Sequence, residues 1–319
     1  MGHRRFNGRR AAALLGAVAL AVTLTACDDK DAKKDDTSTD ASSSASSTPT
    51  ESSTGSATPS TVKLLDAGTG EKRKLRLEVE AGHTETATMS MVTRSAVPGA
   101  GELTIGMDIP MDIEVTDVQA DELTMEASYQ APTVTQLSGT SGVDEEQMEQ
   151  QLAVLADLKI EQTMTLQGQT TDFKLDASDA LKNGPAGQFL QSIEQQANAL
   201  SVPLPDEKVG VGGRWEATQA FDLNGAKVEQ VVTYEVTELT DDTVSLKVSG
   251  DGSVSGTTSS AGVSVDMDTT LSTSGTSEMR SGLILPAQAS TETSTTGTAT
   301  AQGQDVDVDT TANVDISTK

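Results

Sequence analysis

In residues 102 to 118, ELTIGMDIPMDIEVTDV, apolar and polar positions alternate without a slip for fifteen residues, Glu102 to Thr116. Leu103, Ile105, Met107, Ile109, Met111, Ile113 and Val115 share one face, and Thr104, Asp108, Asp112, Glu114 and Thr116 share the other. A period of two over that length is a strand with one dry and one wet face, and no helix can bury such a pattern. Pro110 falls on the polar face, and because proline has no N–H for a ladder it predicts an edge strand or a bulge there. The same one-sided pattern recurs at Leu75/Leu77/Val79, Ala87/Met89/Met91, Leu123/Met125/Ala127/Tyr129 and Leu158/Ile160/Met164/Leu166. One-faced alternation of this kind marks antiparallel sheet.

Two segments break the rhythm. In VDEEQMEQQLAVLADL, Met148, Leu152 and Leu155 stand at helical spacing, Asp144 caps, Gln147 takes the capping-box position and Val143 staples to Met148. In GPAGQFLQSIEQQANALSVP, Pro185 suits the first turn, Phe189, Ile193, Ala197 and Leu200 line one face, and Pro203 stops the run. Two short amphipathic helices are expected.

The chain also repeats itself. IEVTDVQADELTMEAS at 113–128 aligns without a gap with YEVTELTDDTVSLKVS at 234–249, and a further strand follows each, LKIEQTMTLQG and GVSVDMDTTLSTSG. The fold class expected is mainly β: duplicated long antiparallel curved sheets, half-barrel or sandwich-like, with the two helices plugging one mouth. The first β repeat with its helices spans 62–202 and the second 203–319.

The N-terminus fixes an expected compartment. Arg4, Arg5, Arg9 and Arg10 precede an apolar run from Ala11 to Leu24, which ends Leu24-Thr25-Ala26-Cys27. This is the order of a secretory signal at 1–26 and not of a spanning helix. It resembles the bacterial lipoprotein signal, which implies cleavage between Ala26 and Cys27, a diacylated Cys27 and a place on the outer face of the cell membrane. Cys27 is the only cysteine, so no internal disulfide can form. Residues 27–61 are rich in Ser, Thr, Asp and Ala with nothing to bury, and read as a disordered tether of about 30 Å average reach.

Cleavage carries off four arginines and no acid, taking the formal charge from −26 to −30. Such a surface repels phosphate backbones and anionic headgroups, which excludes nucleic acid as an expected partner and leaves membrane attachment to the lipid on Cys27.

Candidates for chemistry are sparse. His83 is the one histidine outside the signal, and it follows Gly82 in an expected turn. The runs DMD at 266–268 and DVDVD at 305–309 place Asp305, Asp307 and Asp309 on one strand face, without the glycine-tight turn that calcium loops use. In PLPDEKVGVGGRWEA, residues 203–217, Gly210, Gly212 and Gly213 follow a helix and lead into a strand, with no Lys-Ser/Thr. Phosphate and dinucleotide loops need the opposite order. Gly212 therefore reads as a turn, and Trp215 as a core anchor. No catalytic residue, metal site or cofactor is expected, and the chain does not read as an enzyme.

The pattern P-x-P-x-x-x-V-x-V-G-x-x-W, carried by Pro203, Pro205, Val209, Val211, Gly212 and Trp215, together with KRKLRLEVEAG at 72–82, resembles a family of uncharacterised, mostly actinobacterial lipoproteins. That resemblance implies no reaction or site. At the level of architecture the chain also resembles envelope carriers of the LolA and LprG type, whose curved sheets hold acyl chains. Such a carrier would line its interior with Ile105, Met107, Ile109, Met111 and Met164, cap it with Phe189 and Ile193, and bind an apolar or lipid ligand. Methionine suits an adaptable apolar wall. The alternative is a structural or interaction lipoprotein with a solid core.

Overall fold

The computed structural model describes residues 54–55, 61–97, 101–139, 144–176, 202–223, 225–260, 263–301 and 303–319. The strands are β1 (Thr54–Gly55), β2 (Thr61–Asp66), β3 (Thr69–Lys74), β4 (Thr84–Val97), β5 (Gly101–Val118), β6 (Glu122–Tyr129) and β7 (Thr133–Ser138). Helix α1 (Glu145–Leu152) follows, then β8 (Lys159–Thr165), β9 (Thr170–Asp176), β10 (Lys208–Val211), β11 (Arg214–Leu223) and β12 (Ala226–Leu239). The chain ends with β13 (Thr243–Ser260), β14 (Val263–Arg280), β15 (Gln288–Ala301) and β16 (Gln304–Thr318). The expected second helix, with Phe189 and Ile193, lies outside the described residues, as do Ala26 and Cys27.

Both halves share one antiparallel sheet of fourteen strands, in the order β1-β9-β8-β6-β5-β4-β16-β15-β14-β13-β12-β11-β2, with β7 also paired to β5. The two copies meet where β16 lies against β4, Thr310 to Thr318 facing Ser95 to Ala87. The segment that opens the described chain serves both edges: β1 pairs β9 and β2 pairs β11.

Pro110 sits in β5 at a break in the ladder, not on an edge. Met111 and the residues after it pair with β6, and Asp108 and those before it with β7, so the missing N–H falls at the junction. On that side the Pro110 carbonyl accepts from the Gln130 N–H at 2.9 Å. Asp144 caps α1 as expected, accepting from the Gln147 N–H at 2.8 Å. Glu149 on the same helix accepts from the Val134 N–H of β7 at 3.0 Å, so α1 takes up a donor that the outer edge of β7 would otherwise leave open.

The duplication extends to the register. Ile113 faces Ala127 and Val115 faces Met125 in the first copy; Tyr234 faces Val248 and Val236 faces Leu246 in the second. The shared threonine of E-V-T is the bulged residue in each. The register slips at Thr116 and Thr237, whose hydroxyls donate to the carbonyls of Thr124 at 3.2 Å and Ser245 at 3.1 Å. One detail of the sequence alignment changes. Leu123 faces Met164 and Val244 faces Met279, so the counterpart of LKIEQTMTLQG is the end of β14 and not its beginning.

The dry faces gather into three clusters. The largest holds the inward residues of β4–β6, β8 and β9 with Met148, Leu152 and Leu155 near α1, and with Ile284 and Leu285 from the second copy. The second surrounds Trp215 with Leu75, Leu204, Tyr234 and Leu246. The third, with Val228, Val254, Val265, Met267, Ala299 and Val308, lies along the far ends of β12–β16.

Candidate functional site

Among the described residues, those expected to line an apolar interior are brought together, and they are packed. Met107, Ile109, Met111 and Met164 are exposed by 3 %, 2 %, 3 % and 0 %, and Ile105 is half-buried against the same cluster. Met267, on an inward face as expected, belongs to the separate third cluster. Trp215 is fully buried; its ring stacks on Tyr234 with centroids 5.6 Å apart, and its Nε1–H donates to the Pro203 carbonyl at 2.8 Å. Gly212 has φ +78° and its N–H donates to the Val236 carbonyl at 2.8 Å, opening β11 as a turn residue.

His83 lies beside a residue that sequence reasoning passed over. Glu85 sits on the inward face of β4, two positions before Ala87, and its side chain is 1 % exposed. Its carboxylate accepts from the N–H groups of Ile284 and Leu285, both at 3.1 Å, and His83 Nε2 lies 3.4 Å from Oε2. A buried carboxylate is costly unless its lone pairs are met, and two successive amides meet them here. The available signal was one acid in register with Ala87, Met89 and Met91.

Register explains what Glu85 does. Glu85 faces Ile113 and Trp215 faces Tyr234, so the two hold equivalent places in the two copies. Gly82 and Gly212 precede them at the same distance and donate to the carbonyls of Val115 and Val236, whose N–H groups donate back to the carbonyls of His83 and Gly213. Pro203, which opens the second copy, docks on Trp215 of that same copy, while Ile284 and Leu285, between β14 and β15 of the second copy, dock on Glu85 of the first. The indole thus fixes a segment within its own copy, and the carboxylate ties the first copy to the second.

Two concavities lie at the margins of the packed clusters. An open groove of about 400 Å³ on the wet face of β4, β5 and β6 is lined by Thr84, Thr86, Asp112, Glu114, Glu126 and Ser128 among others. A smaller cavity of about 80 Å³ lies between residues 73–78, the β12–β13 turn and residues 279–283. Among the described residues, none of the expected lining, Ile105, Met107, Ile109, Met111 or Met164, borders either one. Asp305, Asp307 and Asp309 are exposed, and among the described residues no three carboxylates, histidines or cysteines converge as metal ligands would.

The phenols of Tyr129 and Tyr234 are both pushed up to about 12 by burial. They serve as apolar wall.

A family of unknown function, DUF6263, matches residues 188–284, a stretch that holds Pro203, Pro205, Gly212 and Trp215 and covers under a third of the chain. None of the curated proteins matches. Among solved structures, an outer membrane channel from Pseudomonas putida F1 is 8 % identical over 76 % of this chain and 98 % of its own, with a TM-score of 0.21. A mutant of the Rh. blastica porin is 9 % identical over 74 % of this chain and 99 % of its own, with a TM-score of 0.22. Overlaps that slight carry no argument about fold or function.

Proposed function

We propose that the chain is a cell-envelope lipoprotein, cleaved between Ala26 and Cys27 and held to the outer face of the membrane by lipid on Cys27, whose β module works without catalysis. It acts by presenting its acidic, Ser/Thr-rich surface to a partner, with a solid core behind it. One observation carries this reading over the carrier: Met107, Ile109, Met111 and Met164 are filled around by other side chains, and a binding site would need free wall. The wet face supports it as well. A barrel facing lipid needs an outward apolar band, whereas β13, β14 and β16 turn Asp251, Asp266, Asp268, Asp305 and Asp307 outward, all exposed. Among the described residues no helix is long and apolar enough to cross a membrane.

Native mass spectrometry of the protein taken from its parent envelope, with the anchor removed, tests the solid core. No copurifying lipid is expected. A lipid bound to the wild type and lost from Met111→Arg would restore the carrier reading with Met111 in its wall. Fractionation tests the anchor: Cys27→Ser should leave the membrane, and persistence there would refute lipidation as the attachment.

A further inference from the structure

The 80 Å³ cavity gathers four cations in a chain of net acidic charge. β3 and β10 form a two-stranded ribbon in which Lys74 lies directly opposite Lys208. Like charges at directly opposed positions destabilise a strand pair, and Asp206 offsets this one from 3.8 Å, so the lysine pair itself leaves no charge to be met. Arg73, Lys74, Arg76 and Arg280 line the cavity together with Glu78, Asp241 and Asp242, all three acids exposed.

Three of these cations already have counter-charges. Arg76 pairs with Glu78 at 3.2 Å, Arg280 with Glu278 at 2.7 Å and Lys74 with Asp206 at 3.8 Å. Arg73 differs. Its Nη1 donates to the main-chain carbonyl of Asp241 and its Nη2 to that of Thr243 at 3.4 Å, while its Nε–H is shielded from solvent without an acceptor. Carbonyl dipoles satisfy hydrogen bonds but do not neutralise a guanidinium, and none of the ion pairs among the described residues includes Arg73.

We propose that this cavity binds one small oxyanion group, of phosphate size, with the Arg73 guanidinium as its principal counter-charge and Lys74 and Arg76 guarding the entrance. The volume holds such a group and little more. Two sources share this chemistry, a free phosphate and the phosphodiester of a lipid headgroup. The inference does not depend on the anchor at Cys27.

Thermal unfolding of the mature chain with inorganic phosphate, against sodium chloride at equal ionic strength, is the first test. Phosphate should raise Tm beyond the chloride control, and Arg73→Gln should weaken phosphate binding about tenfold, the loss of one charged hydrogen-bonding partner. Because Arg73 also holds the β12–β13 turn, Lys74→Gln/Arg76→Gln serves as a second variant. Both of its side chains are about half exposed, so its fold should survive while phosphate binding falls. Pelleting of the anchor-free chain with phosphatidylglycerol vesicles, but not with phosphatidylcholine, and its reversal by phosphate, would assign the headgroup as source. Phosphate binding without pelleting would assign the free oxyanion. A phosphate effect no larger than that of chloride, or one unchanged in both variants, would overturn the proposal.

Discussion

The two copies solve one problem with different chemistry. At matched positions at the start of a strand, the second copy holds its own incoming segment with a neutral indole, stacked and giving one hydrogen bond, while the first holds Ile284 and Leu285 of the second with a buried carboxylate taking two. The indole brings its own apolar burial, so most of its contribution survives loss of the hydrogen bond. The carboxylate contributes almost nothing except through its bonds, and its removal leaves two amides without acceptors. The same backbone frame thus supports a packing latch and a polar latch, and the two should fail differently.

Trp215→Ala should give the largest effect. Truncating a fully buried, stacked indole costs about 3 to 5 kcal/mol. Trp215→Phe, which keeps most of the ring but loses the donor to Pro203, should cost about 1 to 2 kcal/mol. Urea unfolding measures both, and equal losses for Ala and Phe would mean that the hydrogen bond and not the packing holds this latch.

Glu85→Ala follows, at about 2 to 4 kcal/mol for two stranded amides, with Glu85→Gln nearer 1 to 2 because one acceptor oxygen remains. The signature is local: amide exchange at Ile284 and Leu285 should accelerate in Glu85→Ala while exchange around Trp215 stays as in the wild type. Unchanged exchange at those two amides would remove Glu85 from its role as a latch.

Much of this was legible in the sequence and some was not, for a physical reason. Period two tells which face a residue takes, so the dry faces of β4, β5, β6 and β8, the cap at Asp144 and the burial of Trp215 could all be read locally. It says nothing about which strands lie side by side. That β16 closes against β4, and that β5 is flanked by β6 and β7 on one side, with Pro110 at their junction, depends on contacts hundreds or tens of residues away. Glu85 was missed for the same reason, since its partners lie 199 and 200 residues further along. The lining residues were placed on the correct face, but whether a face is walled or filled depends on what packs against it, here α1 and the Ile284–Leu285 segment.

Each copy also carries one tyrosine, and high pH probes both. Burial raises each phenol from 10.0 to about 12, whereas an unfolded tyrosine ionises near 10, so the unfolded chain releases its proton first. The contribution is whole below about pH 10 and is lost as pH rises towards 12, on the order of 2 to 3 kcal/mol for each phenol. Tyr129→Phe and Tyr234→Phe should each remove about half of the alkaline loss. If one of them removes all of it, the other phenol is open to water in the folded chain.

The smallest effect tests whether the copies share a frame at all. Gly82 and Gly212 stand at equivalent places, with φ of +84° and +78°, and each donates its N–H to the matching carbonyl, Val115 or Val236, at 2.8 Å. A methyl group added at either would meet nothing within 4 Å, so the cost of alanine is that of the left-handed backbone alone, about 1 kcal/mol. The two substitutions should therefore cost the same, even though one lies beside a carboxylate latch and the other beside an indole. The copies part company one residue later. At Gly213 an added methyl would lie 2.8 Å from the Gly210 carbonyl and 3.0 Å from Val209 Cβ, where the first copy accommodates His83, so Gly213→Ala should cost more than Gly212→Ala. Gly82→Ala and Gly212→Ala differing by more than about 1 kcal/mol in urea unfolding would show that the latches strain their own turns, and that the shared frame is only a likeness of register.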